Sequence, residues 1–392
     1  VVGVTGTNGK TTVAHMVRSC LDAFLESNGR TGLIGTTGYE FGGRCLPAIN
    51  TTPDPVRLHG YMHEMVDEGC RACVMEVSSH GLVQERVHGI RFNVGAFLNL
   101  TQDHLDYHGD MVSYAQAKAR LFANLEPGSH ACICTDSDVA DIMIDALDRD
   151  VNVHTFGSEG DAEIRFENVV SGIEGSRFEM LLPTGRVELM LHMPGLHNVH
   201  NAVAAASIAT AMGVSPSAIV QALEGLRPVR GRLELAAECD GVRVYVDYAH
   251  TPVALEKVCA TMRDLTQGRL LVVYGCGGDR DRSKRPQMTK AVLQHADCVY
   301  MTSDNPRSED PEKILDDMEG GCADSWPQRP NIARIADRRS AIRAAVIEAR
   351  GGDTVLIAGK GHETCQVMND VVTQFDDCHE ARKAMMDREA GT

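Results

Sequence analysis

The first residues with an obvious chemical use form a candidate phosphate-binding loop. Residues 1–12, VVGVTGTNGKTT, combine a β-branched start with Gly6, Gly9, Lys10 and Thr11. The glycines allow a tight turn whose backbone N–H groups point at an anion, and the helix that follows presents its positive end. The lysine can reach the outer phosphates of a nucleotide, and the threonine hydroxyl can bind an accompanying Mg²⁺. Together these residues predict nucleotide binding.

The sequence around this loop favours a true nucleotide site over a chance glycine turn. Val4 stands where the strict motif has its first glycine, and Gly3 comes one place too early. A strand before the loop and a helix over residues 13–24 nevertheless supply the structural context that a phosphate loop requires.

Glu76 is a candidate ligand for the Mg²⁺ of that nucleotide. It ends a predicted apolar strand, residues 72–77, downstream of the loop. Carboxylates in this position hold Mg²⁺ in nucleotide hydrolases and kinases. The alternative is a surface glutamate at a strand end. Its neighbours Met75 and Val77 favour burial, where an unpaired carboxylate is costly.

A second segment with the composition of a metal site follows the next predicted strand. Residues 101–109 include two carboxylates and two histidines within the stretch DHLDYH. A capping turn is the alternative, and it explains Asp103 better than His104. Lys118 lies in the predicted helix 111–125, where by itself it indicates a solvent-exposed face.

Two polar segments can either cap helices or contact a ligand. The run NTTPDP at 50–55 carries standard helix-start signals, so capping is the favoured interpretation of this segment alone. Asn198 and Asn201 lie one turn apart at the start of an alanine-rich helix, so their amides can face the same way. Propensity does not decide between a ligand and unpaired backbone groups as their target.

Composition and charge exclude several classes of protein. The sequence has 392 residues, 43% hydrophobic and 23% charged, and no apolar run approaches the roughly 20 residues of a membrane span. The net charge of −16 argues against a general nucleic-acid binder, because phosphate backbones require excess Lys and Arg. The 13 cysteines indicate reduced thiols in a cytoplasmic protein, and neither the CxxC at 70–73 nor the CxC at 132–134 predicts a zinc site.

The pattern of the chain predicts an α/β protein of two domains. The run LRPVRGR at 226–232 marks the border, which gives domains 1–228 and 229–392. The first is a P-loop ATPase-like domain with a mostly parallel sheet, and the second is a Rossmann-like, doubly wound domain. In the second domain we predict strands at 242–248, 270–274, 298–302, 331–335 and 354–358, and helices at 253–265, 284–293, 311–318, 338–349 and from about 378.

Charged loops follow four strands of the second domain. They are DYAH at 247–250, GCGGDRDR at 275–282, DNPR at 304–307 and GKGHE at 359–363. Ligands of such sheets bind beyond the carboxyl ends of the strands, so we expect a converging charged rim there. A dinucleotide fingerprint at 275–278 is disfavoured, because the glycine spacing is wrong and the strand is not the first of its unit.

A series of motifs spans nearly the whole chain in one order. The motifs are TGTNGKTT at 5–12, NTTPD at 50–54, MEVSSHGLVQERV at 75–87, LTQDHLDYHGDMVSYAQAKARLF at 100–122, PGLHNVHN at 194–201, GRLE at 231–234, VDYAHTP at 246–252, GCGGDRDRSKRP at 275–286, DNPR at 304–307 and GKGHE at 359–363. In these motifs and their order the chain resembles the Mur ligase family.

The resemblance implies an ADP-forming amide ligase of peptidoglycan precursor synthesis. It implies that ATP phosphorylates the D-glutamyl γ-carboxylate of UDP-N-acetylmuramoyl-L-alanyl-D-glutamate, and that the amine of meso-diaminopimelate attacks the resulting acyl phosphate. DNPR is the family's signature for diaminopimelate, whose distal carboxylate Arg307 can bind bidentately, whereas lysine ends in an ammonium. The alternatives are a lysine-adding or other ligase of this family and a non-catalytic nucleotide-binding fragment.

The resemblance also implies roles for individual residues. The implied ATP contacts are Gly6, Thr7, Asn8, Gly9, Lys10, Thr11, Thr12, Asn198, Asn201, Arg232 and Asp247. The implied contacts to the muramoyl-dipeptide are Asn50, Thr51, Thr52, Ser78, Gln84 and Arg86. The implied diaminopimelate contacts are Arg280, Asp304, Asn305, Pro306, Arg307, Gly359 and Glu363.

The implied catalytic residues are Lys10, Glu76, His104 and Lys118. Thr11 and Glu76 would bind one Mg²⁺, and His104 would bind a second together with a carbamate on Lys118. A carbamate offers anionic oxygens to the metal, whereas an ammonium beside two dications is repelled. This reverses the interpretation of Lys118 as a solvent-exposed residue.

One departure from the family concerns the start of the sequence. The family normally has a domain before the phosphate loop that binds the uridine nucleotide, and this sequence opens inside the first strand of the ATPase domain. We expect either a truncated sequence or a naturally reduced protein, and truncation would impair binding of the uridine end. The expected partners are small-molecule substrates, without nucleic acid, and the expected state is a monomer.

Overall fold

The computed structural model describes residues 1–25, 30–158, 160–322 and 331–391. It divides the chain into two compact units, Val1–Arg227 and Pro228–Thr392. Each unit has its own sheets and its own buried core. Within the described residues, no helix is both long and apolar enough to cross a bilayer.

The first unit contains eleven strands and eight helices among the residues described. The strands are β1 (Val2–Thr5), β2 (Thr31–Gly35), β3 (Gly38–Phe41), β4 (Arg44–Leu46), β5 (Ala72–Glu76), β6 (Val94–Phe97), β7 (His130–Cys134), β8 (Asn152–Phe156), β9 (Arg165–Gly172), β10 (Gly175–Leu182) and β11 (Gly185–Leu191). The helices are α1 (Lys10–Phe24), α2 (Pro55–Asp67), α3 (Ser79–Val83), α4 (Leu105–His108), α5 (Met111–Ala123), α6 (Ala140–Asp145), α7 (Leu196–Ala211) and α8 (Pro216–Glu224).

Strand β1 lies inside the main sheet, whose order is β4-β3-β2-β5-β1-β6-β7-β8. Its neighbours β5 and β6 are both parallel to it, and only the β2-β3 and β3-β4 pairs are antiparallel. The chain runs from β1 to β2 on one side and later crosses from β5 to β6 on the other. Such a switch in strand order opens a crevice beyond the carboxyl ends, where ligands of open α/β sheets bind.

Both faces of this sheet are buried. One face packs against α1, α7, α8 and the antiparallel sheet β9–β11, and the other packs against α2, α3, α5 and α6. Strands covered on both faces carry continuous apolar runs, as in β1 and β7. Burial of the apolar strands therefore determines the position of the sheet, and polar residues lie mainly in the loops at the strand ends.

The second unit contains eight strands and five helices among its described residues. The strands are β12 (Glu234–Cys239), β13 (Val242–Asp247), β14 (Leu270–Cys276), β15 (Cys298–Ser303), β16 (Asn331–Arg334), β17 (Thr354–Ala358), β18 (Cys365–Met368) and β19 (Val371–Gln374). The helices are α9 (Pro252–Leu265), α10 (Lys284–Leu293), α11 (Pro311–Glu319), α12 (Arg338–Glu348) and α13 (Asp377–Glu389).

The main sheet of the second unit has the order β12-β13-β17-β14-β15-β16. All its pairs are parallel except β12-β13. Helix starts follow the capping rules: the Thr251 side chain accepts from Ala254 N before α9, which has a proline in its first turn. The predicted α/β class, with a mostly parallel sheet and a doubly wound second sheet, is confirmed.

Arg338, the first residue of α12, bonds to two strand ends of this sheet. Its side chain is fully buried and pairs with buried Asp377 at 2.7 Å. Its guanidinium also donates to the carbonyl oxygens of Ser303 and Ala358 at 3.3 and 2.9 Å. These are the last residues of β15 and β17, immediately before the loops 304–307 and 359–363.

Several antiparallel elements lie outside the predicted strand–helix alternation. They are the β9–β11 sheet, strand β12 and the β18–β19 hairpin. The β12–β13 turn is Asp240-Gly241, with φ values of 48° and 74°. Asp-Gly with positive φ at both residues is a strong hairpin signal. The turn chemistry was therefore present in the sequence, but the longer alternation of strands and helices obscured it.

Candidate functional site

The predicted phosphate loop lies between β1 and α1. Gly9 has φ 88°, and a Cβ added there would lie 2.5 Å from Asn201 Oδ1 on α7. A side chain at this position would therefore be strained and would also collide with α7. Thr11 and Thr12 are buried in the first turn of α1, which begins at Lys10.

The loop is held in shape by the residues that follow β6. Asn8 N donates to Asn99 Oδ1 at 2.9 Å, and Asn99 Nδ2 donates to Asn8 O at 3.0 Å. Thr101 N donates to Thr7 Oγ1 at 3.0 Å, and Asn8 Nδ2 donates to Thr101 Oγ1 at 3.1 Å. The sequence analysis did not single out Asn99 or Thr101 as loop supports.

Two lysines meet at one carbonyl oxygen of the loop. Lys10 Nζ donates to Gly6 O at 2.8 Å and to Thr7 O at 2.9 Å. Lys118 Nζ, from α5, donates to the same Gly6 O at 2.9 Å. The residue predicted to reach the phosphates and the residue predicted to carry a carbamate therefore lie side by side.

Lys118 is buried, not exposed on the helix surface as its helix position alone suggested. Its Nζ lies 4.5 Å from the centre of the Tyr114 ring. Burial and the nearby Lys10 charge lower the pKa of Lys118 well below its usual range, against an opposing effect of Asp103. A lowered pKa increases the fraction of neutral amine, which is the form that reacts with CO₂ to give a carbamate.

Glu76 lies in a cradle of hydrogen-bond donors at the end of β5. Thr11 Oγ1 donates to both of its carboxylate oxygens at 3.0 Å. Thr36 donates through its backbone N at 2.8 Å and its hydroxyl at 3.1 Å. Gly35 supplies room, because a Cβ there would overlap Glu76 Oε1. The buried carboxylate predicted from the sequence is thus satisfied by threonines, of which Thr36 was not predicted.

His104 lies in a cluster of rings beside the loop. Its φ is 55°, and its Nε2 is 3.5 Å from Asp103 Oδ2. Its ring packs edge-on against His80 and Tyr114, with centroid distances of 4.8 and 6.3 Å. The Tyr114 hydroxyl reaches Thr7 Oγ1 at 3.2 Å. Tyr114 therefore lies next to His104, Lys118 and the phosphate loop.

The polar turn after β4 contacts the backbone of Glu76 and the hydroxyl of Thr36. Thr52 Oγ1 donates to Glu76 O at 2.9 Å, and Ser78 N donates to Thr52 Oγ1 at 3.0 Å. Thr51 Oγ1 is 3.2 Å from the hydroxyl of Thr36. Capping also occurs, since Asp54 accepts from Arg57 N at the start of α2.

The other residues predicted for the muramoyl-dipeptide lie around this turn. Arg86 donates to Thr52 O at 2.9 Å and through two nitrogens to Gln84 Oε1. Gln84 Nε2 donates to the Tyr107 hydroxyl at 3.2 Å. Asn50 O accepts from the Tyr39 hydroxyl at 2.8 Å.

The two asparagines of α7 that were predicted as ATP contacts face each other, with Asn201 Nδ2 3.2 Å from Asn198 Oδ1.

In the second unit, Asp247 ends β13 and receives two backbone donors. Leu233 N and Ala249 N donate to its carboxylate at 2.8 and 2.7 Å. Burial raises the pKa of Asp247, while the nearby Arg232 opposes the shift. The Arg232 guanidinium stacks over the Tyr248 ring at 4.4 Å.

The loops after β14, β15 and β17 form one site in the second unit. A Cβ on Gly359 would lie 2.6 Å from Asp304 Oδ2, and one on Gly278 would overlap Pro306 O. Asn305 Nδ2 donates to Glu363 Oε2 at 2.8 Å. The structure thus brings together the residues predicted from DNPR and GKGHE.

Arg307 is the half-buried arginine of this charged group. Its φ is 52°, and its Nη1 donates to Gly278 O at 2.7 Å. Burial lowers the pKa of Arg307, and so does the charge of Arg280, while Asp304 and Glu363 oppose the shift. Two neighbouring guanidiniums, one of them half-buried, favour an anionic ligand. Arg280 itself is exposed at the rim.

The donor set around Glu76 suits a hard cation. Thr11 and Glu76 contribute hydroxyl and carboxylate oxygens, the atoms that Mg²⁺ prefers. Among residues 1–25, 30–158, 160–322 and 331–391, no group of three or more His, Cys, Asp or Glu is arranged to hold a metal ion. The predicted ligand set contains only two residues of those types.

Comparison with protein families gives two matches in chain order. Residues 4–209 match the Mur ligase middle domain, and residues 231–361 match the Mur ligase glutamate ligase domain. This chain belongs to the Mur ligase family. The membership predicted from the motifs is confirmed.

Named relatives of this Mur ligase share one activity. A UDP-N-acetylmuramoyl-L-alanyl-D-glutamate–2,6-diaminopimelate ligase from Bacillus licheniformis is 42% identical over 392 residues, covering 98% of this chain and 78% of the relative. A protein of the same name from Gloeobacter violaceus is 42% identical over 387 residues, covering 98% of this chain and 77% of the relative.

Solved structures agree with this Mur ligase fold. A structure of a UDP-N-acetylmuramoyl-L-alanyl-D-glutamate–2,6-diaminopimelate ligase has a TM-score of 0.67 at 36% identity and covers 99% of this chain and 78% of that one. Folylpolyglutamate synthase from Mycobacterium tuberculosis, complexed with ADP and AMPPCP, has a TM-score of 0.73 at 21% identity, covering 91% of this chain and 88% of that one. The second likeness concerns the fold alone.

Proposed function

We propose that this Mur ligase adds meso-diaminopimelate to UDP-N-acetylmuramoyl-L-alanyl-D-glutamate in an ADP-forming reaction of peptidoglycan synthesis. The observation that carries the proposal is the contact between the phosphate-loop hydroxyl of Thr11 and both oxygens of buried Glu76. A carboxylate held against a nucleotide loop is the arrangement that phosphoryl-transfer sites use. The names of the relatives supply the substrates.

Residues 1–228 are the proposed ATP-binding domain. Gly6 through Thr12 surround the phosphates, and Lys10 leaves its contacts with Gly6 O and Thr7 O to neutralise charge on the transferred phosphoryl group. Asn198 and Asn201 contact the adenine. For Arg232 and Asp247 we propose roles in binding the phosphate and the ribose of ATP, as the family resemblance implies.

Two Mg²⁺ ions are part of the proposal. Thr11 and Glu76 would hold one, and His104 with a carbamate on Lys118 would hold the other. Bound Mg²⁺ would neutralise negative charge on the phosphates. The low pKa of Lys118 supports the carbamate, because it leaves the amine neutral and able to react.

The turn near Glu76 is the proposed site of the acceptor peptide. The turn itself contributes Asn50, Thr51 and Thr52 to this site. Its neighbours contribute Ser78, Gln84 and Arg86. Thr52 and Ser78 bond to each other beside Glu76, which places hydroxyl groups next to the phosphate loop. The D-glutamyl γ-carboxylate would receive the phosphoryl group here, giving the acyl phosphate.

Residues 229–392 are the proposed amino-acid domain. Arg307, with Arg280 nearby, binds the distal carboxylate of diaminopimelate. Asp304 and Glu363 are positioned to accept from its ammonium groups, while Asn305, Pro306 and Gly359 shape the pocket. Lysine keeps the distal ammonium but has a hydrogen in place of the distal carboxylate, so it would leave the half-buried Arg307 guanidinium without a carboxylate partner.

Phosphate release tests the proposal. The chain and an upstream-extended version are assayed with ATP, UDP-N-acetylmuramoyl-L-alanyl-D-glutamate and either meso-diaminopimelate or L-lysine. We expect turnover with diaminopimelate and a fall of about tenfold or more in kcat/KM for Arg307→Lys, because lysine cannot form the bidentate pair. Faster turnover with lysine than with diaminopimelate would overturn the proposed specificity. No phosphate release by either version would favour a nucleotide-binding module without ligase activity.

A further inference from the structure

Lys360 is a buried cation in the amino-acid pocket that the proposed reaction does not use. It lies between Gly359 and Gly361, both of which have positive φ, in the turn after β17. Its side chain is fully buried, and its Nζ lies 2.8 Å from Glu363 Oε2 and 3.0 Å from Asn305 Oδ1. A buried ammonium is costly unless it is paired and hydrogen-bonded, so this placement calls for a specific reason.

The contacts of Lys360 form a closed triangle with two pocket residues. Asn305 Nδ2 donates to Glu363 Oε2 at 2.8 Å, while Asn305 Oδ1 accepts from Lys360 and from Val367 N at 3.0 Å. Two donors on Oδ1 fix the orientation of the amide. Both donors to Glu363 use its Oε2 atom, which leaves Oε1 to meet a ligand.

Glu363 is also a potential competitor for Arg307. Its charge and that of Asp304 act on the Arg307 guanidinium, which is half-buried beside Arg280. A pocket carboxylate that paired with Arg307 would occupy the group needed for a ligand carboxylate. Lys360 offers Glu363 a closer and fully buried partner instead.

We infer that Lys360 is a positioning residue that holds Glu363 away from Arg307, so that the pocket can accept a ligand bearing both a carboxylate and an ammonium group. This inference rests on the proposed function of the site. Arg307 remains available for the distal carboxylate, and Glu363 Oε1 is turned toward the ammonium. Lys360 acts through Glu363 and does not touch the reacting atoms.

The first test compares Lys360→Met with wild type and with Lys257→Met, a substitution of an exposed lysine on α9. Dissociation constants for meso-diaminopimelate are measured by calorimetry, and KM and kcat by phosphate release. For Lys360→Met we expect Kd and KM to rise about tenfold or more, because Glu363 would lose its lysine partner and pair with Arg307, while kcat and the KM for ATP change less than about twofold. Lys257→Met should match wild type.

The second test asks whether Lys360 acts through Glu363. In a Glu363→Gln background, adding Lys360→Met should raise Kd by less than about threefold, because no carboxylate remains to be released. An equal rise in both backgrounds would overturn the inference. So would an unchanged Kd and KM in the single variant.

A folding control and a second variant complete the test. Circular dichroism and thermal unfolding establish that each variant is folded, and Lys360→Gln, which keeps a donor for Asn305 without the charge, should also raise Kd if Lys360→Met does not fold. Lys360→Arg, which keeps the charge, should recover part of the lost affinity. Wild type that binds meso-diaminopimelate without releasing phosphate would overturn the proposed function but leave the role of Lys360 to be decided by Kd.

Discussion

Glu76 is buried with hydroxyl and amide donors around it. Thr11 and Thr36 together direct three groups at its two oxygens. These donors satisfy both carboxylate oxygens, and a hydroxyl can turn away when a cation arrives. The same arrangement therefore suits both a ligand-free loop and a loop that holds a metal and nucleotide.

We predict that Glu76→Gln removes most activity without unfolding the chain. The amide keeps the shape of the side chain but loses the charge, and its NH₂ group faces the donors of Thr11 and Thr36. Phosphate release should fall about 100-fold, the scale of losing one electrostatic stabiliser of a transition state. Glu126→Gln, which alters an exposed ion pair with Arg91, is the control and should stay within about twofold of wild type.

Helix α1 depends on the geometry of one residue before it. Gly9 has a left-handed backbone and lies close to Asn201. Its conformation therefore determines the shape of the phosphate loop that ends there. Gly43 has a similar φ of 74°, but a Cβ there would meet nothing within 4 Å. A side chain at either position would be strained by the positive φ, but only one at Gly9 would also overlap a neighbouring atom.

We predict that Gly9→Ala weakens nucleotide binding far more than Gly43→Ala. Both substitutions should lower the free energy of unfolding by about 1 kcal/mol from the positive φ. Gly9→Ala should also displace the loop or Asn201 and raise the Kd for ADP about tenfold or more, measured by calorimetry. Equal ADP affinities in the two variants would contradict the role given to Gly9.

The sequence identified those elements whose patterns are long or chemically specific. The helices predicted at 284–293 and 311–318 correspond closely to α10 and α11, and the strand at 354–358 is β17. The predicted alternation of strands and helices in the second domain is likewise observed from β13 to β17. Short antiparallel pieces were missed because their periodicity is weak and their register depends on turn residues.

The candidate site was predictable where a residue lies in a motif and less so where a contact comes from tertiary packing. Glu76 was recognised from its position at a strand end, and Thr36 could have been found by the same argument, since it follows β2 beside β5. Lys118 by itself indicated a solvent-exposed residue, because helical spacing does not reveal which polar residue faces a loop from another strand. Lys360 likewise contacts Asn305, which follows a different strand, so its position in the sequence did not reveal this contact.

At the scale of the whole molecule, each unit places its polar residues at the carboxyl edge of a largely parallel sheet. The second unit supports that edge with buried ion pairs. Fully buried Arg285 contacts Glu309 at 2.8 Å and Asp317 at 2.8 Å, and it donates to Gly277 O. Hydrogen bonds from Arg285 lower the pKa of Glu309 from 4.5 to about 2.

We predict that this pair makes part of the stability of the second unit dependent on pH. Because the pKa of Glu309 is depressed on folding, its contribution is complete above about pH 4.5 and is lost as the pH falls through about 2. Glu309→Gln should cost about 2 kcal/mol at pH 7, less than a fully enclosed pair, since Glu309 keeps some contact with solvent.

Urea unfolding at pH 7 and pH 3 measures this effect. The difference in unfolding free energy between wild type and Glu309→Gln should be smaller at pH 3. A difference that stays constant between the two pH values would show that the charge of the Glu309 carboxylate does not stabilise the second unit. Glu126→Gln again serves as a surface control with no expected change.

The buried guanidinium of Arg338 has a consequence for how this protein can change over time. It bonds the final carbonyls of β15 and β17, and its own ion pair is with Asp377, so this anchorage does not use the side chains of residues 304–307 or 359–363. Substitutions in those loops should therefore leave the ends of β15 and β17 in place. Under the proposed function, exchange of the four residues 304–307 between relatives should change amino-acid selectivity while the rest of the second unit keeps its fold.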